Sequence, residues 1–346
     1  MRHLLSGEQV LADWLKRRGY PAYRNRQLAT WIFRKRATCF DEMSNLPAVL
    51  REELAEQFRL WTSEVVCQQR ASDGTEKLLL QWLDGGRIEC VLLRDGIRRS
   101  ICISTQVGCA MGCVFCASGL DGVDRNLTTG EIVEQMLRLQ HLLPERERLS
   151  HLVVMGMGEP LANLDNLMPA LEFANRKSGL GISSRRITIS TVGIPRAIRR
   201  LAARPSHFHL AVSLHAPDDA LRTQLVPVNR NIGLEDLLAA ADQYFDVSGR
   251  RLTFEYVLLA GVNDRDSHAH GLVGMLKNRP ALLNVIPYNP VAGLTFQTPS
   301  AAAIKRFRAI LETAGLNVHF RRRKGDRIDA ACGQLRRSTT PSPPRS

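Results

Sequence analysis

Four of the chain's eight cysteines fall within "CISTQVGCAMGCVFC", residues 102–116. Cys109, Cys113 and Cys116 are spaced C-x3-C-x2-C, and Cys102 stands seven residues ahead of them. Thiols set this close suit a metal centre. Iron–sulfur cubes are held by cysteine thiolates, normally four for four irons. A loop that offers three leaves one iron open to a substrate chelate, as an open position marks a catalytic metal site. Two other readings compete, a structural zinc site and unrelated buried cysteines. Zinc usually takes a second Cys or His pair at ordinary spacing, and none of the nine histidines supplies one nearby.

Glu89, in "RIECVLL", is a carboxylate set in an apolar strand. Burial there raises its pKa, which suits a general base; a cross-strand ion pair is the competing role. Cys332, in "DAACGQL", taken alone is a free thiol near the C-terminal tail. Cys90 faces away from Glu89 and, with Cys39 and Cys67, is read as structural.

These residues need a scaffold. The 346 residues, 44% of them hydrophobic, provide a sizeable core. No apolar run reaches the ~18 residues needed to span a bilayer, and "MRHLLSGEQV" lacks the apolar region of a secretory signal. A cytoplasmic location is expected, where cysteine clusters serve metals or catalysis more often than disulfides. Lys and Arg exceed Asp and Glu by 47 to 34, a net charge of +13. That excess predicts a polyanionic partner, with nucleic acid foremost. Its candidate phosphate contacts are Arg34 to Arg36, Arg321 to Lys324 and Arg336-Arg337.

Residues 1–62 read as a small helical domain. "EQVLADWLKRRG" puts Val10, Leu11, Trp14 and Leu15 on one face, "RQLATWIFRKR" does the same with Leu28, Trp31 and Ile32, and Pro47 opens a third helix. Residues 63–98 read as a β-meander. Its apolar runs are separated by Asp73-Gly74, Asp84-Gly85 and Asp95-Gly96, which are hairpin signals. Over residues 99–335 strands alternate with amphipathic stretches: "ICIST", "HLVVMG", "RITIST", "FHLAVSLH", "LTFEYVLL" and "LLNVIPY". Six such units predict an α/β fold, a partial (βα)6 barrel whose parallel sheet is covered by helices. The three-cysteine loop follows its first strand and so lies at the C-terminal mouth, where barrel active sites are built. Residues 336–346, Pro- and Ser-rich, read as a disordered tail.

The three-cysteine spacing after a first barrel strand, with Phe115 in the aromatic slot before the third cysteine, resembles the radical S-adenosylmethionine superfamily. "GMGEPLANL", "STVGIP", "AVSLHAPDDALRTQLVPVN" and "DAACGQL" resemble one branch of it, the adenosine methyltransferases of the RlmN/Cfr family. The resemblance runs through nearly the whole chain. It implies a [4Fe-4S] cluster on Cys109, Cys113 and Cys116. It also implies S-adenosylmethionine bound by Gly158, Glu159, Ser190, Ser213, Leu214, His215 and Asn289, all at one mouth. Glycine at 158 lets backbone approach closely, and Glu159 is placed to accept from the cofactor's ammonium.

The implied reaction methylates an adenine carbon, which has no useful nucleophilicity. The methyl must first be carried on a thiolate and then activated as a radical. By the resemblance, Cys332 carries the methyl, Glu89 accepts the adenine proton, and Cys102 closes a disulfide with Cys332 that frees the product. The implied partners are 23S ribosomal RNA or transfer RNA and a reductant such as flavodoxin or ferredoxin, with the enzyme a monomer. Val123 stands where close relatives commonly have an aromatic, and Arg327 where they often have an acid. C2 of the adenine is the expected target, with C8 as the alternative, and 23S ribosomal RNA, transfer RNA or both stay open as substrates. Outside the family, a radical enzyme acting on protein or a small molecule would not need Cys332, Glu89 and the basic clusters. A non-catalytic iron–sulfur RNA sensor would not need the cofactor motifs.

Overall fold

The computed structural model describes residues 2–321, 325 and 328–337. Near the N-terminus come α1 (Glu8–Arg17), α2 (Tyr23–Phe33) and α3 (Ala48–Gln57). The expected apolar faces turn inward: Leu11, Leu15, Leu28 and Ile32 are buried. Pro47 takes the N-cap position, one residue ahead of the helix.

Ten strands form one sheet whose spatial order follows the sequence. β1 (Ser63–Arg70), β2 (Glu76–Trp82), β3 (Arg87–Asp95) and β4 (Arg98–Cys102) are antiparallel neighbours. Gly74, Gly85 and Gly96 sit at the three turns with positive φ, the conformation tight hairpins demand and glycine adopts without strain. From β4 onward the pairing is parallel, through β5 (His151–Val154), β6 (Ile187–Thr191), β7 (His209–Ser213), β8 (Leu252–Leu258) and β9 (Ala281–Pro287) to β10 (Val318–Phe320).

All six expected barrel strands are present. The seventh, β10, was not expected: three residues, none fully buried, give no legible period. Because β4 pairs with β3 on one side and β5 on the other, the meander continues the barrel sheet outward. The sheet is open, with β1 and β10 as its edges. Helices α4 (Thr129–His141), α5 (Leu164–Asn175), α6 (Pro195–Ala202), α7 (Asp219–Leu225), α8 (Leu234–Ser248), α9 (Asp266–Leu276) and α10 (Ala301–Thr313) connect the strands. Along β6 burial alternates, with Ile187, Ile189 and Thr191 buried and Thr188 and Ser190 half-buried. No helix among the described residues is long and apolar enough to cross a membrane.

Polar clips fasten the N-terminal helices to the barrel. Glu134 of α4, fully buried, accepts from the amides and hydroxyls of Thr62 and Ser63 and lies 3.3 Å from His3. Burial would raise its carboxyl, but the donors from His3, Ser63 and Thr62 prevail and hold it down to about 2. Arg36 donates to the carbonyls of Leu143 and Glu147, each at 2.6 Å, and Arg34 to that of Lys177. Two arginines of the first basic cluster thus carry structural bonds. In the other clusters, Arg336 donates to Ala292 O and Arg337 pairs with Asp124. Arg322 to Lys324, Arg327 and the tail from 338 onward lie outside the described residues.

Candidate active site

The three-cysteine loop hangs between two short strands, Gln106–Gly108 and Val123–Asn126, which pair antiparallel. Backbone bonds fix its course. Cys109 donates to Gly122 O, Val114 to Leu225 O at the end of α7, and Ala117 to Gly333 O. The loop therefore touches both the barrel and the segment that carries Cys332.

One cavity of about 960 Å³, counting its open mouth, lies over the strand ends. Cys109, Cys113 and Cys116 line it, as do Gly158, Glu159, Ser190, Ser213, His215, Asn289 and Cys332. Three nominated residues are not on its wall. Leu214 is fully buried beneath it, its amide donating to Glu255 O. Cys102 sits at the end of β4 and Glu89 one strand further out on β3.

Burial pushes Cys109 up to about 11 and Cys113 and Cys116 above the ordinary thiol range. Free, these thiols stay protonated; bound to metal they ionise. Among the described residues, no three His, Cys, Asp or Glu side chains converge tightly enough for a single ion. Cys109, Cys113 and Cys116 share one cavity, and in a multi-iron cluster each thiolate takes a different iron. The rest of the wall fits a polar ligand. Asn289 is 5% exposed and its Oδ1 has no protein partner, an acceptor that burial makes costly to leave unmade. Gly158 has φ 100°, and a Cβ there would lie 2.7 Å from the Gln106 side chain.

Glu159 is more committed than its expected role implied. Oε1 accepts from Thr191 Oγ1 at 2.7 Å and Leu161 N at 2.9 Å, and Oε2 from Val192 N at 2.7 Å. Burial raises its pKa while these donors oppose the rise. A carboxylate has about four lone-pair sites, so one on Oε2 remains for a ligand ammonium. His215 takes positive φ, and its Nδ1 accepts from Val257 N at 3.1 Å. Burial, with Arg222 adding to it, lowers its pKa to about 3. The ring is therefore neutral, and Nε2 carries the proton.

Arg222 and Lys77 escaped the sequence reading. Fully buried Arg222 donates to Leu214 O, Val192 O and Ser213 O at 3.1, 2.6 and 2.9 Å, and to Asn229 Oδ1. It stitches together the ends of β6 and β7. Lys77 lies 2.8 Å from Glu89, so Glu89 does form an ion pair across strands, as the competing expectation held. Arg321 Nη1 is 3.5 Å from Cys332 Sγ. Burial drives Cys102 up to about 12; Cys332 adds to the rise and Arg321 opposes it.

Comparison with known proteins settles the family. Residues 103–270 match the model of the radical S-adenosylmethionine superfamily, and residues 5–60 that of the ribosomal RNA large subunit methyltransferase N-terminal domain. The chain is 63% identical to a probable dual-specificity RNA methyltransferase RlmN of Rhodopirellula baltica, over 97% of this chain and 91% of that one.

The chain belongs to the RlmN family.

A second member, from Bacillus thuringiensis, is 45% identical over 94% of this chain and 90% of its own length. A crystal structure of a radical S-adenosylmethionine methyltransferase from Sphaerobacter thermophilus superposes with TM-score 0.94 at 42% identity, covering 98% of this chain and all of that one. RlmN family membership thus covers both the helical N-terminal domain and the barrel.

Proposed function

We propose that the chain methylates C2 of an adenosine in 23S ribosomal RNA and in transfer RNA, by way of a methyl group carried on Cys332. The observation that carries this reading is the placement of Cys332. It is brought from the far end of the chain to the cavity lined by Cys109, Cys113 and Cys116. In this reading those three hold a [4Fe-4S] cluster. Gly158, Glu159, Ser190, Ser213, His215 and Asn289 hold S-adenosylmethionine, with Leu214 contributing from its backbone. Together these cofactors supply a methyl group and the one-electron chemistry that an unreactive carbon requires.

The chain's own residues do the rest. The Arg321 guanidinium lies 3.5 Å from the Cys332 sulfur, the atom that accepts the methyl. Neutral His215 offers Nε2–H as a donor that does not change charge near neutral pH. Once the carried carbon is joined to the adenine, Glu89 takes the ring proton. Cys102 then attacks the Cys332 sulfur: the S–S bond forms, the bond from that sulfur to the carried carbon breaks, and the carbon takes the proton the Cys102 thiol gives up, releasing the methylated base. A reductant such as flavodoxin or ferredoxin feeds the reaction, and the enzyme works as a cytoplasmic monomer.

The dual specificity in the relatives' names supports both RNA classes, and the RlmN family favours C2 over the C8 alternative. The test is to incubate reconstituted, reduced protein with S-adenosylmethionine and each RNA, then to analyse the nucleosides by mass spectrometry. 2-Methyladenosine in both RNAs is expected. 8-Methyladenosine would move the reaction to the other carbon, and no methylated adenosine would refute the reading.

A further inference from the structure

Lys77 and Glu89 form an ion pair in the interior, 6% and 4% exposed, with Nζ 2.8 Å from Oε1. In the register of β2 and β3, Leu79 faces Glu89 and Lys77 faces Val91. Lys77 is therefore the diagonal neighbour of Glu89 on one face of the sheet. Both groups also reach the segment that carries Cys332. Lys77 Nζ donates to Asp329 O at 3.2 Å, and Glu89 Oε2 accepts from Arg336 N at 2.9 Å.

For mere packing this pair is an expensive choice. Desolvating two charges costs several kcal/mol per ion, and apolar residues of similar volume usually serve as well or better. A proton acceptor gives it a use. A carboxylate buried alone takes a proton from water and meets its substrate already neutral. Burial does raise the Glu89 pKa; Lys77 is the largest opposing influence, the Arg336 amide opposes it too, and Asp329 adds to the rise. The loop after β5 places the uncharged Met157 sulfur 3.4 Å from the Glu89 amide.

We propose that Lys77 is a positioning residue for proton abstraction: its ammonium keeps Glu89 ionised inside an apolar wall and fixes Oε1 while the carboxylate takes the adenine proton. The inference rests on the proposed function, in which Glu89 is the base. In this step the C–H bond at the substituted ring carbon breaks and its proton passes to Glu89. The electron pair stays in the ring and restores its aromatic system. The unpaired electron that radical addition leaves on the ring departs to the one-electron acceptor that a [4Fe-4S] cluster on Cys109, Cys113 and Cys116 would supply.

The test uses full-length, cluster-loaded enzyme with RNA substrate, as parent, Lys77→Met and Lys77→Arg, across roughly pH 6.5 to 9. Mass spectrometry follows methylated Cys332, the RNA–Cys332 adduct and released methyladenosine. Lys77→Met is expected to load the methyl and form the adduct. The adduct should accumulate near neutral pH and resolve about ten-fold faster per unit of added pH until Glu89 ionises. Lys77→Arg should move the midpoint back toward the parent's, at a lower maximal rate. If Lys77→Met does not fold, Lys77→Gln keeps a donor to Oε1 without the charge and should show the same displaced midpoint. An undisplaced midpoint in the neutral variants, or an equal displacement in Lys77→Arg, overturns the role of Lys77. A Glu89→Gln enzyme that releases product normally removes the base itself, and separates failure of the proposed function from failure of the lysine's part in it.

Discussion

Replacing Arg222 by Met tests whether one buried guanidinium holds the cofactor cavity together. Four acceptors lose their donor: the carbonyls of Val192, Ser213 and Leu214 and the side chain of Asn229. Hydrogen bonds to a charged group contribute about 1.5–3 kcal/mol each, and a buried acceptor left bare costs about 1–3 kcal/mol. Against this, Met no longer has to desolvate a cation, which returns several kcal/mol. The net expectation is a loss of about 3–5 kcal/mol, the range seen when one partner of a buried charged network is removed. With roughly 2.1 cal/mol/K of unfolding entropy per residue, a chain of 346 residues loses about 1.4 °C in Tm per kcal/mol. The expected drop is therefore about 4–7 °C. The assay is anaerobic thermal unfolding of cluster-loaded protein, paired with S-adenosylmethionine titration. Because Val192 and Ser213 line the cavity, affinity should fall along with Tm. Arg222→Lys keeps the charge but not the fork, and should fall between the two. An Arg222→Met protein that melts with the parent and binds the cofactor equally well would refute the reasoning.

Three further outcomes follow from the site. Gly158→Ala places a Cβ 2.7 Å from Gln106 at φ 100°, so cofactor affinity measured calorimetrically should drop about five- to 140-fold, from strain of about 1–3 kcal/mol. Changing Cys109, Cys113 or Cys116 to Ala should abolish the brown colour of the reconstituted protein, which should otherwise hold about four irons; stoichiometric zinc without visible absorption would contradict the cluster. Cys332→Ala should accept no methyl and form no adduct, whereas Cys102→Ala should accumulate RNA linked through Cys332 on peptide mass spectrometry, and normal turnover of Cys102→Ala would contradict the two-cysteine mechanism.

What the sequence revealed was whatever is encoded locally. Asp-Gly pairs located the three meander turns because a tight hairpin needs positive φ within a residue or two. The six strand–helix units were legible because buried parallel strands are unbroken apolar runs. β10 was not, since its three half-exposed residues pair with β9 only after α10 has turned the chain back. The buried charges were hidden for a related reason. Lys77 in "EKLLLQW" and Arg222 in "DALRTQL" look like the polar positions of amphipathic elements. Only tertiary placement turns them inward, toward Glu89 in one case and three strand-end carbonyls in the other. Glu159 lies on the cavity wall; of its three internal bonds the one from Leu161 N is local, whereas those from Thr191 and Val192 depend on the end of β6, which no local pattern announces.

The segment around Cys332 shows how these parts depend on one another. Among its described residues, the buried apolar side chains are the small Ala330 and Ala331 and a single leucine, Leu335. Hydrogen bonds do most of the holding. Gly333 O accepts from Ala117 N, Leu335 O from Ser118 Oγ, Cys332 O from Asn289 Nδ2 and Pro290 O from Gln334 Nε2, while Arg336 N donates to Glu89. The partners are the cluster loop, the end of β9 and the proposed base, so the thiol is placed only when all three are folded. Each such bond contributes about 1 kcal/mol net, because water can replace the partner, whereas displaced apolar surface has no substitute. A segment held this way opens at low cost compared with the core. That suits the role proposed for Cys332, an exposed thiol that would meet a cofactor, an RNA base and Cys102 in turn.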